Sequence, residues 1–283
     1  MREKSVDVFG LTDRGRVRAE NQDHFLIAEV GEAFAVRRSS AAMLQSHGAL
    51  PSEPCQVLAV ADGMGGHAAG QEASRLSVAT AAEHLANTLP ALLREQDSEA
   101  VDPALLLEDA LRHCHRVLVE EASPQNQNMG TTMTIGCVIW PRLHLAHVGD
   151  SRCYLLRDGV VSRMTRDQTV AQQLVDEGRL DASDVAGSPM CNVLSQALTA
   201  REGRGPIPDM RQLDLVAGDS LLFCSDGLNK HLTETEVIRI HDRAPTAEQA
   251  CRTLVQAANS AGGKDNITVV VARYQGERSA GPA

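Results

Sequence analysis

Short apolar runs with alternating or β-branched character recur at residues 5–9, 57–61, 131–139, 143–148, 152–156, 219–224 and 267–273, and each predicts a strand. Two stretches repeat at helical spacing instead. Val78, Ala82, Leu85 and Leu89 fall at i, i+4, i+7 and i+11 within residues 68–89; Leu107, Leu111, Cys114 and Leu118 do the same within 103–120. Asp102 before Pro103 supplies an N-cap with proline at the first helical position. Weaker helical signals cover 168–178, 233–241 and 246–260, where Thr233 with Glu236 and Thr246 with Gln249 have capping-box spacing. Strands come in groups between pairs of helices, which favours an α+β layer fold over a doubly wound parallel sheet. Residues 31–55 read as an inserted loop or loose hairpin, and 275–283 as a disordered tail on one domain spanning 1–274.

Composition narrows this picture. With aromatic residues at 2%, the core must be built from Ala, Val, Leu and Ile. The formal charge of −10 leaves no basic surplus to neutralise phosphates, so neither nucleic acid nor an anionic membrane is an expected partner. The 7 cysteines are scattered and never spaced as C-x-x-C, which speaks against a disulfide framework or a cysteine-rich zinc site. The opening MREKSVDVFG lacks the apolar stretch of a signal peptide, and no run approaches the roughly 18 apolar residues of a membrane span. A cytoplasmic protein is expected.

Candidate chemistry lies where the apolar runs end. Asp62 follows Val57-Leu-Ala-Val-Ala61; Asp150 follows Leu145-Ala-His-Val-Gly149; Asp226 follows Ser220-Leu-Leu-Phe-Cys-Ser225. Asp265 precedes the run starting at Ile267, and Asp23 precedes Phe25-Leu-Ile27. Any one of them alone reads as a turn or cap aspartate. Gathered at strand ends, they would repel and desolvate one another unless cations compensate. Oxygen-only ligation, with no paired His or Cys, selects Mg²⁺ or Mn²⁺. Gly63 lets the chain bend so that its carbonyl can also face a metal, and the glycines after it leave room for a bulky anion. A dinucleotide fingerprint, Gly63-Met-Gly65-Gly-His-Ala68, is the rival reading. It requires a second strand ending in an acid about 20 residues on, whereas the helical pattern continues through Glu83.

Taken in order, Arg18-x-x-Asn21-Gln-Asp23, Asp62-Gly-Met-Gly-Gly-His67, Met129-Gly-Thr-Thr132, Gly149-Asp-Ser-Arg152, Ser225-Asp-Gly-Leu228 and Asp265-Asn-Ile-Thr268 resemble the motifs of the metal-dependent serine/threonine protein phosphatases of type 2C, in their bacterial form. The resemblance implies a four-layer α-β-β-α sandwich, two antiparallel sheets flanked by helix pairs, with two metal ions in a cleft at one end. It implies that Asp62 bridges the ions, that the Gly63 carbonyl ligates one, that Asp226 and Asp265 hold the other, and that Asp23 acts through water. Arg18 would clamp the substrate phosphate, because a planar guanidinium matches its oxygens. His67, Asp150 and Asn266 are candidates for a proton donor or for supporting contacts.

The chain departs from the family pattern at three places. Gln22 stands where a glutamate often ligates, no acid lies in Pro124–Met129 to hold a third ion, and Thr165-Arg-Asp167-Gln168 lacks the usual histidine. The implied activity is hydrolysis of phosphoserine and phosphothreonine in proteins by a metal-activated water, in a monomer opposing a serine/threonine kinase. Residues 168–197 resemble the family's flap beside the cleft. The alternatives are a pseudophosphatase that binds phosphoproteins without turnover, which would be expected to have damaged metal positions, a metal-dependent nuclease and a small-molecule phosphatase.

Overall fold

How the most apolar strand is covered sets the layering of the molecule. In β4 (Cys55–Met64), Val57, Ala59 and Ala61 face one side and Leu58 and Val60 the other, and both sets are buried. A strand buried on both faces needs no polar alternation, so its sequence reads as an unbroken apolar run. The same holds for β13 (Ile267–Tyr274): Val269 and Val271 point to one side, Val270 and Ala272 to the other. The computed structural model describes residues 6–41, 55–66, 68–94, 102–122, 128–203 and 205–275.

Five antiparallel strands form one sheet in the order β1 (Val6–Asp13), β13, β12 (Ser220–Cys224), β8 (Arg152–Arg157) and β9 (Val160–Arg163). The 8-stranded sheet runs β10 (Leu198–Thr199), β5 (Gly130–Thr131), β4, β6 (Met133–Ile139), β7 (Arg142–Val148) and β11 (Asp209–Asp214). In it β2 (Asp23–Val30) pairs with β4, and β3 (Phe34–Ser39) pairs with β2. Three apolar layers follow. Helices α1 (Ala68–Arg94) and α2 (Pro103–Glu120) bury Leu85, Leu89, Leu107 and Leu111 against the larger sheet. Helices α5 (Glu234–Arg243) and α6 (Ala247–Ser260) bury Val237, Leu254 and Val255 against the smaller one. Phe25, Leu58, Leu145, Phe223 and Val270 fill the space between the sheets. Each fully buried Leu or Phe there contributes about 1.5–3 kcal/mol of transfer free energy. This is the α-β-β-α sandwich expected.

Local signals hold at most element ends. Asp102 caps α2 by accepting from Ala104 N at 2.9 Å. Thr233 and Glu236 close a reciprocal capping box on α5. Thr246 caps α6, but the Gln249 amide donates forward to Thr253 Oγ1 (3.2 Å), leaving that box half made.

Four differences from expectation matter. The single strand predicted over 131–139 is broken at Thr132: its N–H still donates in register to Asp62 O at 2.9 Å, but Asp62 N donates in return to the Thr132 hydroxyl (3.0 Å). Part of the 31–55 insertion is β3, a hairpin partner of β2, and Cys55 already begins β4; residues 42–54 lie outside the described residues, as do 276–283 of the expected tail. Within 168–197, α3 (Val170–Asp176) is followed by a 3₁₀ turn at 182–187, and Thr169 bridges to Leu194. Asp226 does not end a strand but opens the short helix α4 (Asp226–Asn229). Among the described residues, no helix is long and apolar enough to cross a membrane.

Candidate active site

Both sheets send strand ends to one edge of the sandwich, and the aspartates ride on them. The β2–β4 register sets Asp23 directly opposite Asp62. Asp226 leaves the end of β12, and Asp265 sits in the turn that enters the neighbouring β13. Asp150 lies between β7 and β8.

Asp23 is buried, with Oδ2 accepting from Ser225 Oγ (2.6 Å) and Thr268 Oγ1 (2.7 Å). Its Oδ1 is buried with no partner. Burial, opposed by those two hydroxyls and aided by Asp226 and Asp265, pushes its carboxyl up to about 7. Burial and the fields of Asp23, Asp226, Asp150 and Asp265 hold Asp62 well above the usual carboxylate range. Asp226 is raised by burial, although Lys230 pulls it down; its Oδ2 pairs with Lys230 Nζ while Oδ1 is orphaned. Burial likewise pushes Asp150 up to about 7, with Asp226 and Asp167 adding to it.

Asp265 differs. Burial would raise it, but the hydrogen bond from Arg18 and the charge of Lys230 hold it below its ordinary value. Arg18 grips it bidentately, Nε to Oδ1 at 2.8 Å and an Nη to Oδ2 at 2.9 Å, yet the Arg18 side chain remains 54% exposed at the mouth of the site. Lys230 also donates to Asp265 Oδ2 at 3.2 Å. Lys230 was not among the residues singled out from the sequence; its spacing in Asp226-Gly-Leu-Asn-Lys230, one helical turn on, is the signal that could have found it.

The glycine after Asp62 has a different reason from the bend expected of it. Gly63 lies within β4 and is not among the glycines with positive φ. A Cβ there would run into the backbone carbonyls of Gly70 and Gln22, so its role is the close approach of α1 and the Gln22 segment to β4. The structure gives Asn266 a clamping position: Oδ1 accepts from Gln22 N (2.8 Å), and Nδ2 donates to Arg14 O (2.9 Å) and Glu20 O (2.8 Å). The loop carrying Arg18 is thereby tied to the turn carrying Asp265. Position 22 serves through its backbone as well, since Gln22 O accepts from Gly63 N at 3.1 Å. His67 lies outside the described residues.

Gln168 holds the Asp150 loop to the segment around Ser195. Its Oε1 accepts from Gly149 N (2.8 Å), its own N–H donates to Gly149 O (2.7 Å), and its carbonyl accepts from Ser195 N (2.8 Å). The neighbouring Asp167 takes a two-point ion pair from Arg152, at 2.9 and 2.6 Å. Beneath this loop His147 is buried between Thr134 Oγ1 (2.8 Å) and Arg166 O (3.1 Å), and burial lowers it to about 4. A folded-state value below the ordinary 6.5 means that protonation favours unfolding: stability is intact above pH about 6.5 and is lost as pH falls towards 4. Wild type should lose about 3 kcal/mol more than His147→Gln between pH 7 and 4, measured by urea unfolding at each pH. Parallel profiles would contradict this assignment.

The site suits a hard divalent cation. Two orphaned buried carboxylate oxygens, on Asp23 and Asp226, offer unfilled acceptor capacity in a field that already destabilises negative charge. Among the described residues, no three His, Cys, Asp or Glu side chains converge as a ready ligand cage. The carboxyls of Asp226 and Asp265 are instead drawn to Lys230 and Arg18.

A two-sheet sandwich with helix pairs outside carries, at its strand ends, clustered carboxylates beside an exposed arginine. The family model described as Protein phosphatase 2C matches residues 46–267, and the chain belongs to that family. The chain is 36% identical over 263 residues to the serine/threonine protein phosphatase PstP of Mycobacterium tuberculosis, covering 92% of this chain but 43% of that protein, so it spans under half of that relative's length. It is 32% identical over 262 residues to the serine/threonine phosphatase stp of Listeria monocytogenes, covering 92% of both. The solved catalytic domain of PstP in complex with 2 manganese ions has a TM-score of 0.72 at 33% identity, covering 96% of this chain and 99% of that one.

Proposed function

We propose that this chain hydrolyses phosphoserine and phosphothreonine in proteins, with two Mn²⁺ or Mg²⁺ ions as cofactors. The observation that carries this reading is the shared field of Asp23, Asp62, Asp226 and Asp265, with orphaned oxygens, directly beside an arginine open to solvent. Asp62, the Gly63 carbonyl, Asp226 and Asp265 would hold the ions, with Asp23 acting through water. Bound there, such ions supply Lewis-acid charge and bring the pKa of a water down towards neutrality. Arg18 exchanges its two-point grip on Asp265 for one on the equatorial phosphate oxygens. Asn266 keeps its loop in place during that exchange.

No side chain here serves as a cysteinyl nucleophile. Cys224, beside the site, is buried in β12 and pushed up to about 12 by that burial, so it remains a thiol at neutral pH. A third ion would need an acid near Met129, where Asn128 instead accepts from Arg201 at 3.0 Å. Phosphorylated proteins, a serine/threonine kinase among them, are the partners this reading implies. The 7 free thiols suit the reducing cytoplasm.

Phosphate release from phosphothreonine peptides, nucleotides and DNA, each with Mn²⁺ and with EDTA, tests the reading. Turnover of the peptides in Mn²⁺ alone is expected. Binding of peptides without turnover would point to the pseudophosphatase, and preference for nucleotides or DNA would overturn the substrate class.

A further inference from the structure

One charged side chain at the site has no part in the proposed function. Lys230 closes the turn of α4, where its N–H donates to Asp226 O at 2.9 Å. That spacing lays its side chain back over the carboxylate that opens the same turn. Its ammonium pairs with Asp226 Oδ2 and reaches Asp265 Oδ2 at 3.2 Å, linking two aspartates from different segments. The lysine side chain is 30% exposed, against 54% for Arg18, so it lies deeper in the cluster. Asp226 Oδ1 remains buried and unpartnered although Lys230 is so near.

We infer that Lys230 is a resident counter-ion that competes with the divalent cation for Asp226 and Asp265, and thereby sets the ion affinity of this chain. The inference rests on the proposed function for the identity of the ion's ligands. Without the ion, the ammonium offsets the repulsion among Asp62, Asp226, Asp150 and Asp265, which share one field. A lone pair given to the ammonium is not available to a metal, and the ammonium repels a cation bound to the neighbouring oxygens, so ion binding and the Lys230 contacts oppose each other. Lysine suits this exchange, being a point charge on a flexible four-carbon stem whose head, already partly in water, can swing outward. Arginine at the same place would keep the charge but with a rigid planar fork. By linkage, the pairing of Lys230 and the binding of the ion weaken each other by the same factor.

The test is Mn²⁺ titration of the full chain, with free Mn²⁺ counted by electron paramagnetic resonance, on wild type, Lys230→Met and Lys230→Arg. Lys230→Met should bind Mn²⁺ about tenfold more tightly than wild type, and Lys230→Arg should stay near wild type. In EDTA, Lys230→Met should melt at a lower temperature than wild type, and Mn²⁺ should raise its melting point by more. Lys230→Gln gives the same comparison if the methionine variant does not fold. Failure of both variants to fold in EDTA with rescue by Mn²⁺ supports the competition, and failure in EDTA and in Mn²⁺ alike overturns it. Unchanged or weaker Mn²⁺ binding by the neutral variants, beside a wild type that binds, overturns the role of Lys230 alone. A wild type that takes up no Mn²⁺ overturns the proposed function, and this inference with it.

Discussion

Replacing Asp226 with asparagine is expected to cut Mn²⁺-dependent phosphate release by roughly a thousandfold or more, beyond the 10–100-fold typical of residues that only orient a ligand. The substitution keeps the shape of the side chain and removes its charge. Asp226 Oδ1 accepts nothing from the protein, so the fold does not depend on that oxygen. Its carboxyl is raised by burial even with Lys230 beside it, which marks a charge the folded protein tolerates poorly. The neutral amide should therefore leave the ion-free protein as stable as wild type, or more so, when melted in EDTA. Activity lost with stability kept assigns Asp226 to the ion. Activity retained within tenfold would remove it from the site.

The second large effect is on folding. Gly63→Ala is expected to destabilise the protein by about 4 kcal/mol or more, the range reached when a core atom has no room and the obstacle is backbone. The added methyl would meet the Gly70 carbonyl on one side and the Gln22 carbonyl at 2.7 Å on the other, neither on a flexible side chain. Both neighbours would have to move, carrying the start of α1 and the loop that leads into Asp23. Urea unfolding of the variant in EDTA measures this without reference to ions. A loss under about 1 kcal/mol would show that α1 can step back from β4, and that the fold does not require glycine at position 63.

Most of the fold is legible in the chain because its central strands are buried on both faces. β4, β12 and β13 read as apolar runs whatever their partners are, and the acids that end them stand out for that reason. The edge strands β9 and β11 are not legible in this way. β11, Asp-Met-Arg-Gln-Leu-Asp, has Arg211 and Gln212 exposed and is a strand only through its ladder with β7. β9 is a short edge on β8 with the same difficulty. β2 was hidden by its position: Phe25-Leu-Ile27 is visible as apolar, but its pairing with β4 depends on contacts distant in sequence.

In the site, the aspartates were legible from position and their arrangement was not. Nothing local shows that Ser225 and Thr268 both bind one oxygen of Asp23 and leave the other bare, since those residues lie 202 and 245 positions away. The place of Gln168 was equally out of view, because its partner Gly149 belongs to another strand end. Lys230 was visible as an i+4 neighbour of Asp226, whereas its second partner, Asp265, comes only from the adjacency of β12 and β13.

The central claim is that these carboxylates gather divalent ions, and anomalous diffraction from a crystal of the chain soaked in Mn²⁺ tests it most directly. Two peaks are predicted, in contact with Asp62 and the Gly63 carbonyl and with Asp226 and Asp265, with Lys230 displaced from Asp226. A fully soaked crystal without a peak among those residues, and with Lys230 still seated on Asp226, would contradict it.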